Sequence, residues 1–208
     1  SRINVKVKHG DETEINGQGP VITEEAINEL FAKLATLTKE DILVLAGSIP
    51  NTLPEDIYEK ILARLESKGI RVVVDATKDL LLNVLKYHPF LIKPNNHELG
   101  EMFGTVCKTD EDIVHYAKKL QEKGAVNVLI SMAGDGAILI TEDGQNIKMG
   151  TPKGKVVNSV GAGDSMVAGF ITGYIRGGNY EEALKSGTAA GSCLLYTSPS
   201  PRDGLLAR

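Results

Sequence analysis

The stretch Asp41–Ala76, DILVLAGSIPNTLPEDIYEKILARLESKGIRVVVDA, has the clearest structural pattern in the chain. Its two ends, DILVLA and IRVVVDA, are short continuous apolar runs, which are typical of strands buried on both faces of a sheet. Between them, apolar residues recur at helical spacing at Ile57, Ile61 and Leu65, and Gly69 follows where that helix would end. A strand, a helix and a second strand in this order predict a β-α-β unit with parallel strands.

The helix inside this unit has a start signal of its own. Thr52 and Glu55 stand three residues apart, as in a capping box, and Pro54 between them suits the first turn of a helix. We therefore expect the helix to begin immediately after a cap at Thr52.

The same alternation of strands and helices continues along the chain. Because successive β-α-β units place helices on both faces of a mostly parallel sheet, the pattern predicts one α/β domain. Such sheets bind ligands at the carboxyl ends of their strands, so the residues after each strand are the candidates for function. The pattern further predicts a helical face at Ile27–Leu34, helices at Leu80–Tyr87 and Thr109–Lys123, and strands at Ser1–Lys8, Thr13–Asn16, Phe90–Lys93, Val126–Ser131, Gly136–Thr141 and Asn146–Gly150.

The composition narrows the possible functions. The 208 residues include 27 acidic and 23 basic side chains, for a net charge of −4, and contain no basic cluster, so nucleic acid is not expected as a partner. No apolar run is long enough to span a membrane, and no membrane partner is expected. The two cysteines, Cys107 and Cys193, form neither a disulfide framework nor a CxxC metal pattern, which favours a reducing cytoplasmic location.

The stretch Val157–Phe170, VNSVGAGDSMVAGF, places a single carboxylate behind a glycine-rich turn. Apolar residues after Asp164 recur at helical spacing, so a helix is predicted to begin near it. The free N–H groups of a helix N-terminus form an anion site, and Gly161 and Gly163 would let the backbone approach a ligand closely. The alternative is that Asp164 is only the N-cap of the helix, and the spacing alone does not choose between the two.

The stretch Lys93–Glu98, KPNNHE, offers a second pair of candidate ligands. Asn95 and Glu98 are three residues apart at a predicted helix start, so an amide and a carboxylate could face a hydrated Mg²⁺ that is bound to phosphates. The alternative, which the spacing taken alone favours, is a capping box with Asn95 as the cap. His97 is interpreted as a surface histidine, because no two histidines of the chain have metal-ligand spacing.

The stretch Ser131–Gly136, SMAGDG, lies between two predicted strands. Its glycines either only turn the chain or shape the wall of a nucleotide pocket. The GxxxxGK[ST] pattern of the P-loop NTPases is absent from the sequence, as is the GxGxxG that opens dinucleotide-binding folds.

Taken in order, the segments AGSIP (Ala46–Pro50), KPNNHE, SMAGDGA (Ser131–Ala137) and NSVGAGDSMVAGF (Asn158–Phe170) resemble the ribokinase-like sugar kinases of the phosphofructokinase B family. The resemblance implies a ribokinase-like three-layer α/β fold with a mostly parallel sheet and the remnant of a β lid. It implies ATP and Mg²⁺ as cofactors and a sugar phosphate as substrate. Fructose 1-phosphate, converted to fructose 1,6-bisphosphate, is the first expectation and tagatose 6-phosphate the next, and a non-catalytic nucleotide-binding fragment is the remaining alternative.

The resemblance also implies roles for individual residues. Asp164 would be the catalytic base, which favours the functional interpretation of that position over the N-cap. The N–H groups of Gly161, Ala162 and Gly163 would form an anion hole for the transferred phosphoryl group. The other implied roles are ATP binding by Lys93, Ser131, Gly134, Gly136 and Gly163, water-mediated Mg²⁺ binding by Asn95 and Glu98, and binding of the substrate phosphate by Arg2.

The resemblance divides the chain into segments, and at one position this chain differs from the family. Residues 1–20 are expected to be partial lid strands that could pair in a homodimer, and residues 21–192 a kinase domain truncated at both ends. Residues 193–208 resemble a translated sequencing adapter and are expected to be a non-native tail. The family commonly has glycine where this chain has Ala133, and we expect the neighbouring Gly134 to compensate.

Overall fold

The computed structural model describes residues 4–9, 11–17, 19–152, 154 and 160–196. Arg2, predicted to bind the substrate phosphate, lies outside these residues. The N-terminal strands are a hairpin in which β1 (Asn4–His9) pairs antiparallel with β2 (Asp11–Asn16). The remaining elements are α1 (Glu24–Ala35), β3 (Ile42–Ala46), α2 (Ile57–Leu65), β4 (Arg71–Asp75), α3 (Lys78–Val84), β5 (Leu91–Ile92), α4 (Asn96–Met102), α5 (Asp110–Glu122), β6 (Asn127–Ser131), β7 (Ala137–Ile140), β8 (Asn146–Met149), α6 (Ala162–Gly177) and α7 (Tyr180–Tyr196).

Within the described residues, the main sheet has six strands in the order β3-β4-β5-β6-β7-β8. The first four strands are parallel, and β7 and β8 are added antiparallel as a meander. The predicted β-α-β unit at the start of this sheet is confirmed by the pairing of β3 with β4 across α2. The carboxyl ends of the parallel strands therefore meet at one edge, where a ligand site is expected.

The sheet has an apolar layer on each face. Alternate side chains of each strand point to opposite faces, so Val72 and Val74 enter one core while Val73 enters the other. The first core also contains buried side chains of α1 to α5, such as Leu81 and Leu120. The second core is formed against α6 and α7. Helices on both faces of the sheet confirm the predicted three-layer α/β arrangement.

The helices α6 and α7 pack unusually closely because glycines face the neighbouring helix. A Cβ atom built on Gly169 would lie 2.5 Å from the carbonyl oxygen of Ser186, and one on Gly187 would lie 2.9 Å from that of Met166. Near the start of α6, a Cβ on Gly191 would lie 3.1 Å from the Ala162 oxygen. The two helix backbones are thus nearly in contact along their length.

One predicted strand, β3, is less buried in the structure than expected. β3 was expected to be buried on both faces, but Val44 is 42% exposed, and the prediction is wrong. The reason is position, since β3 is the edge strand of the described sheet while β4 lies inside it. An apolar run in the sequence indicates a strand but does not show whether helices cover both of its faces.

The predicted start of α2 is also wrong. The helix begins at Ile57 after Asp56, and Thr52 lies in a turn whose backbone bonds run from Leu53 to Pro50 and from Ile57 to Pro54. The Thr52 hydroxyl is buried, and no described residue forms a hydrogen bond with it. Glu55 therefore does not complete a capping box, although the spacing of the two residues suited one.

The structure bears on two further expectations. No helix in the described part of the chain is long and apolar enough to cross a membrane, and Cys107 forms no disulfide with a described residue. The final helix, α7, continues to Tyr196, past the expected boundary of a tail at residue 193, and residues 197–208 lie outside the described ones.

Candidate active site

The site is built on the first turn of α6. Gly161 precedes the helix with a left-handed φ of 78°, a conformation that glycine adopts without strain. The helix begins at Ala162, so Asp164 is its third residue and not its N-cap. The first backbone bond closing this turn runs from Ser165 N to Gly161 O, at 2.9 Å. The N–H groups at the start of the helix therefore have no partner within it and are available to an anion.

Lys93 directly follows β5, and its side chain extends to this turn of α6. Its side chain is 7% exposed, and its Nζ lies 3.3 Å from Oδ1 of Asp75. A Cβ atom on Gly163 would lie 3.2 Å from the same Nζ. The absence of a side chain at Gly163 therefore allows the ammonium to lie against the helix N-terminus.

Asp75, the last residue of β4, is one of the strand-end residues at which the sequence led us to expect a ligand, but no role was predicted for it. Burial raises the pKa of its carboxyl group, and the charges of Asp164 and Glu98 raise it further, whereas the Lys93 ammonium lowers it. Asp75 also adds its charge to the burial that raises the pKa of the Tyr58 hydroxyl. A signal for Asp75 was present in the sequence, because it is the carboxylate that ends a buried strand.

Two cavities meet at this turn. The larger, of about 540 Å³, is lined by the start of α6, α7 and the loops after β5 and β6, and the smaller, of about 360 Å³, by β3, Asp75 and the other side of α6. Asp164 lines the smaller cavity, while Ala162 and Gly163 line the larger one. Adjacent residues of one helical turn, Gly163 and Asp164, thus line the two cavities.

The walls of the cavities differ in character. Among the described residues, the smaller cavity is lined by apolar residues and two carboxylates, whereas the larger one is lined by both polar and apolar residues. The smaller is lined by Val44, Ala46, Asp75, Asp164, Val167, Ala168 and Ile171. The larger is lined by Asn95, Asn96, His97, Ser131, Met132, Ala133, Gly134, Asp135, Thr151, Ala162, Gly163, Met166, Gly191 and Ser192.

The alternative proposed for Asn95 and Glu98, a capping box, is confirmed. Asn95 Oδ1 accepts from the Glu98 N–H and Glu98 Oε2 accepts from the Asn95 N–H, both at 2.8 Å. In the described part of the chain, no three His, Cys, Asp or Glu side chains form a group that could hold a metal. A Mg²⁺ bound to phosphates keeps most of its waters. These residues fit such an ion only through water, and the capping box fixes the Glu98 carboxylate beside Asn95, which lines the larger cavity.

The loop after β6 forms one wall of the larger cavity. Ser131 N donates to Pro94 O at 3.2 Å, which ties this loop to the residue preceding the Asn95 cap. Thr151 Oγ1 donates to Gly134 O at 2.7 Å from the opposite side. Of the residues predicted to bind ATP, Ser131, Gly134 and Gly163 line the cavity, whereas Gly136 is buried behind it and Lys93 lies behind Gly163.

The expected compensation at Ala133 is wrong. Ala133 itself has a left-handed φ of 49°, and Gly134 is not among the residues of positive φ. The strain therefore stays on the alanine. A residue with a Cβ in this region costs roughly 1 kcal/mol relative to glycine.

Sequence reasoning missed several residues of the larger cavity. His97, interpreted as a surface histidine, is exposed but lies at the cavity rim. Met166 and Gly191 contribute to the wall because α7 returns to the start of α6. The small residues of α7 were the available signal, but nothing in the sequence indicates which helix they face.

The fold and this site can be compared with those of known proteins. The chain belongs to the pfkB family of carbohydrate kinases, whose family model matches residues 2–200. It is 51% identical to the 1-phosphofructokinase of Bacillus subtilis over 197 residues, which are 95% of this chain and 65% of the relative. It is 35% identical to the D-tagatose-1-phosphate kinase of Bacillus licheniformis, over 95% of this chain and 65% of that one.

A solved structure shows the same fold. A Staphylococcus aureus protein with a provisional phosphofructokinase name superposes with a TM-score of 0.85 at 43% identity, covering 98% of this chain and 66% of its own. The predicted ribokinase-like fold and the family resemblance are thus confirmed. The chain spans just under two thirds of the length of these relatives.

Proposed function

We propose that the protein transfers the terminal phosphoryl group of ATP to the free primary hydroxyl of fructose 1-phosphate, giving fructose 1,6-bisphosphate. The observation that carries this proposal is the position of Asp164 on the first turn of α6, where the two cavities meet. The name of the B. subtilis relative supports the choice of sugar. Family membership supports ATP as the phosphoryl donor.

Asp164 would act on the attacking hydroxyl. A sugar hydroxyl is too weak an acid to lose its proton in advance, so the carboxylate orients it and accepts the proton as the bond to phosphorus forms. The amides of Gly161, Ala162 and Gly163 would stabilise negative charge on the phosphoryl oxygens, because the helix N-terminus points partial positive charge at that position. The Lys93 ammonium adds a full positive charge behind Gly163.

The nucleotide would occupy the larger cavity. Ser131 and Gly134 line it on one side and the first turn of α6 lines it on the other. Asn95 and Glu98 would hold the waters of Mg²⁺, which neutralises phosphate charge when it is bound. Gly136 contributes only through the position of its loop, since it is buried.

A non-catalytic nucleotide-binding module explains the site less well. A carboxylate beside bound phosphates repels them and weakens binding, so a pure binding site gains nothing from Asp164. A phosphoryl-transfer site needs such a group, because it must orient a hydroxyl. The side chain is exposed, as a group that contacts a second substrate must be.

A second candidate substrate is D-tagatose 1-phosphate, because a relative at 35% identity is named for it. The two sugars are both ketohexose 1-phosphates, so the transfer chemistry is the same. Tagatose 6-phosphate, the alternative from the sequence, differs in which end of the sugar carries the phosphate. The smaller cavity would discriminate among these three sugar phosphates, and its described lining residues are mainly apolar.

We also propose that the hairpin β1–β2 is part of a lid that pairs between two subunits, and that the kinase domain proper begins near residue 21. In support, the hairpin forms a sheet separate from the six-stranded one within the described residues. A cytoplasmic location accords with the free thiol of Cys107. Sedimentation equilibrium of the full-length protein would show a dimer if the lid pairs in this way, and a monomer would contradict it.

The test is ADP release by the full-length protein with fructose 1-phosphate, D-tagatose 1-phosphate, tagatose 6-phosphate and fructose 6-phosphate offered separately. We expect the highest kcat/KM with fructose 1-phosphate. Asp164→Asn is expected to lower kcat by a factor of about 10² to 10⁴ while ATP affinity, measured by calorimetry, stays nearly constant. Asp110→Asn, which removes an exposed carboxylate paired with Lys148 elsewhere, is the control.

Near-normal turnover of Asp164→Asn would contradict the mechanism. ATP binding without transfer to any of the four sugars would instead favour the binding module. Preference for a tagatose phosphate would retain the mechanism and change the substrate.

A further inference from the structure

We propose that Asp75 is a positioning residue that holds the Lys93 ammonium at the point where the two cavities meet. The inference rests on the proposed phosphoryl transfer, and it assigns Asp75 a role through Lys93 and not through contact with the reacting atoms. It starts from a buried ion pair, Nζ to Oδ1 at 3.3 Å, in which the lysine side chain is 7% and the aspartate side chain 19% exposed.

The lysine needs a partner to stay where it is. An ammonium removed from water is costly unless an opposite charge lies beside it, and the four-carbon stem of lysine allows many other positions. Asp75 is the ion-pair partner that the structure records for Lys93 among the described residues. Without that charge, the Nζ would be drawn toward water or toward another anion.

Two further carboxylates lie near enough to Asp75 to influence it. Asp164 on α6 and Glu98 on α4 both act electrostatically on Asp75. Glu98 Oε2 is already engaged by the Asn95 N–H. Asp164 is the group that must stay available to a hydroxyl. An ammonium bound to Asp164 would block the proposed base, whereas the Lys93 ammonium in the structure is paired with Asp75.

The backbone around Asp75 is fixed on both sides. β4 pairs with β3 and with β5, and the carbonyl oxygen of Asp75 accepts from the Gly47 N–H at 3.0 Å. The backbone of Lys93 is tied to the same strand, since its N–H donates to Val74 O at 3.2 Å. The carboxylate and the lysine stem thus start from a common rigid frame, and only the side chains remain to be positioned.

The location of the pair connects it with transfer. Asp75 lines the smaller cavity beside Asp164, whereas Lys93 Nζ lies against Gly163, which lines the larger one. A phosphoryl group moving from one cavity to the other would pass the backbone of Gly163, against which this ammonium lies. Displacement of a group by about 1 Å at such a point can lower turnover about a hundredfold. Asp75 should therefore affect kcat more than the KM for ATP.

The experiment compares Asp75→Asn, Asp75→Glu, Lys93→Gln and the double variant Asp75→Asn/Lys93→Gln in the full-length protein. We expect Asp75→Asn to lower kcat about a hundredfold with the KM for ATP changed less than about threefold. Asp75→Glu should recover most of the loss, because it restores the charge. The double variant should be no slower than Lys93→Gln, because a positioning residue has no effect once its target is gone.

Two outcomes overturn the proposal. One is a kcat of Asp75→Asn equal to that of the control Asp110→Asn. The other is a further large loss of kcat when Asp75→Asn is added to Lys93→Gln, since Asp75 would then act independently of the lysine. If Asp75→Asn does not fold, the comparison of Asp75→Glu with the uncharged double variant, which leaves no unpaired buried charge, decides in its place.

A readout without turnover separates this proposal from the proposed function. NMR of ¹⁵N-labelled lysine ammonium groups should show Lys93 Nζ as an ordered, slowly exchanging group in the wild type and in Asp75→Glu. Its signal should be lost in Asp75→Asn. The same signal in all three proteins overturns the positioning role, whereas an ordered Lys93 in a protein that phosphorylates no sugar overturns the proposed function alone.

Discussion

On one face of the sheet, helices α1 to α5 interlock with the strands through large side chains, whereas on the other face α6 and α7 meet each other through glycines. Leu81, Leu99 and Leu120 fill the first layer. On the second face, Phe170 packs on the sheet while Gly169 and Gly187 bring the two helix backbones together. The candidate active site is on the second face, at the start of α6.

The difference shows two ways of fixing a helix in place. Interlocking side chains tolerate replacement by other apolar groups of similar volume, because the layer can repack. Backbone contact through glycine has no such freedom, since any added atom separates the helices. A site that depends on the exact position of helix amides is better placed on the second kind of contact.

The largest effect on stability should come from the side-chain layer. Leu120 is completely buried on α5, so Leu120→Ala should lower the free energy of unfolding by about 2–5 kcal/mol. Urea unfolding of the full-length protein measures this change. Val44→Ala, at the half-exposed edge strand, should cost less than about 1 kcal/mol. Equal losses in the two variants would mean that β3 is covered as fully as the core.

The glycine contact should fail in a different way. Gly169→Ala places a Cβ 2.5 Å from the Ser186 oxygen, so the helices must separate, with a loss of about 1–3 kcal/mol. Because α6 carries Asp164, kcat should fall as well. Leu120→Ala should leave kcat nearly unchanged in the molecules that remain folded. Enzyme assays beside the unfolding curves would distinguish the two faces.

The matched control is Gly177→Ala, on the same helix. A Cβ there has no neighbour closer than 3.4 Å, and alanine is favoured over glycine in a helix by about 1 kcal/mol. The variant should be as stable as the wild type or more so. Loss of stability in Gly177→Ala comparable to that in Gly169→Ala would show that close packing is not the cause.

A smaller effect of opposite sign is expected at Ser192. Its hydroxyl is buried beside the larger cavity and has no hydrogen-bond partner among the described residues. Since an unsatisfied buried group costs about 1–3 kcal/mol, Ser192→Ala should raise the free energy of unfolding by about 1 kcal/mol. Thermal unfolding without nucleotide measures this gain, and a loss of stability would show that the hydroxyl has a partner in solution.

The smallest effect concerns the pH dependence of stability through Asp112 on α5, a helix of the first face of the sheet. Asp112 accepts hydrogen bonds from the backbone of Lys108 and Thr109, which lower the pKa of its carboxyl group. A lowered pKa contributes stability that is present above the ordinary pKa and is lost as the pH falls through the lowered value. Asp112→Asn should therefore show a weaker decline of stability below pH 4 than the wild type. Parallel declines in the two proteins would contradict this.

The sequence predicted the bounds of the helices and strands well, but it predicted less well which elements pack against each other. Hydrophobic period and turn residues depend on a few adjacent positions, so β4, α5 and β6 lie within one or two residues of their predicted bounds. The exposure of Val44 depends on which strand ends the sheet, which no local pattern contains. Glycine spacing in α6 and α7 was visible, but the contact between the two helices is a tertiary property.

The candidate site shows the same division. The motif residues Asn95, Ser131 and Gly163 do line one cavity, as their places after strands and at a helix start suggested. Thr52 and Glu55 had the spacing of a capping box and do not form one, whereas Asn95 and Glu98 had it and do. Spacing is necessary for such a cap, but the preceding backbone decides whether the side chain can turn back.

The strand order of the main sheet has a consequence for how the protein is made. Because the order follows the chain, each strand from β4 to β8 joins the strand synthesised just before it. The sheet can therefore assemble in the order of synthesis, although its parallel strands are joined by long crossovers. The two helices that complete the candidate site are the last described elements to leave the ribosome. Until they arrive, no described helix covers Val73, Leu91 and Leu129, so the nascent sheet exposes this face as an apolar surface.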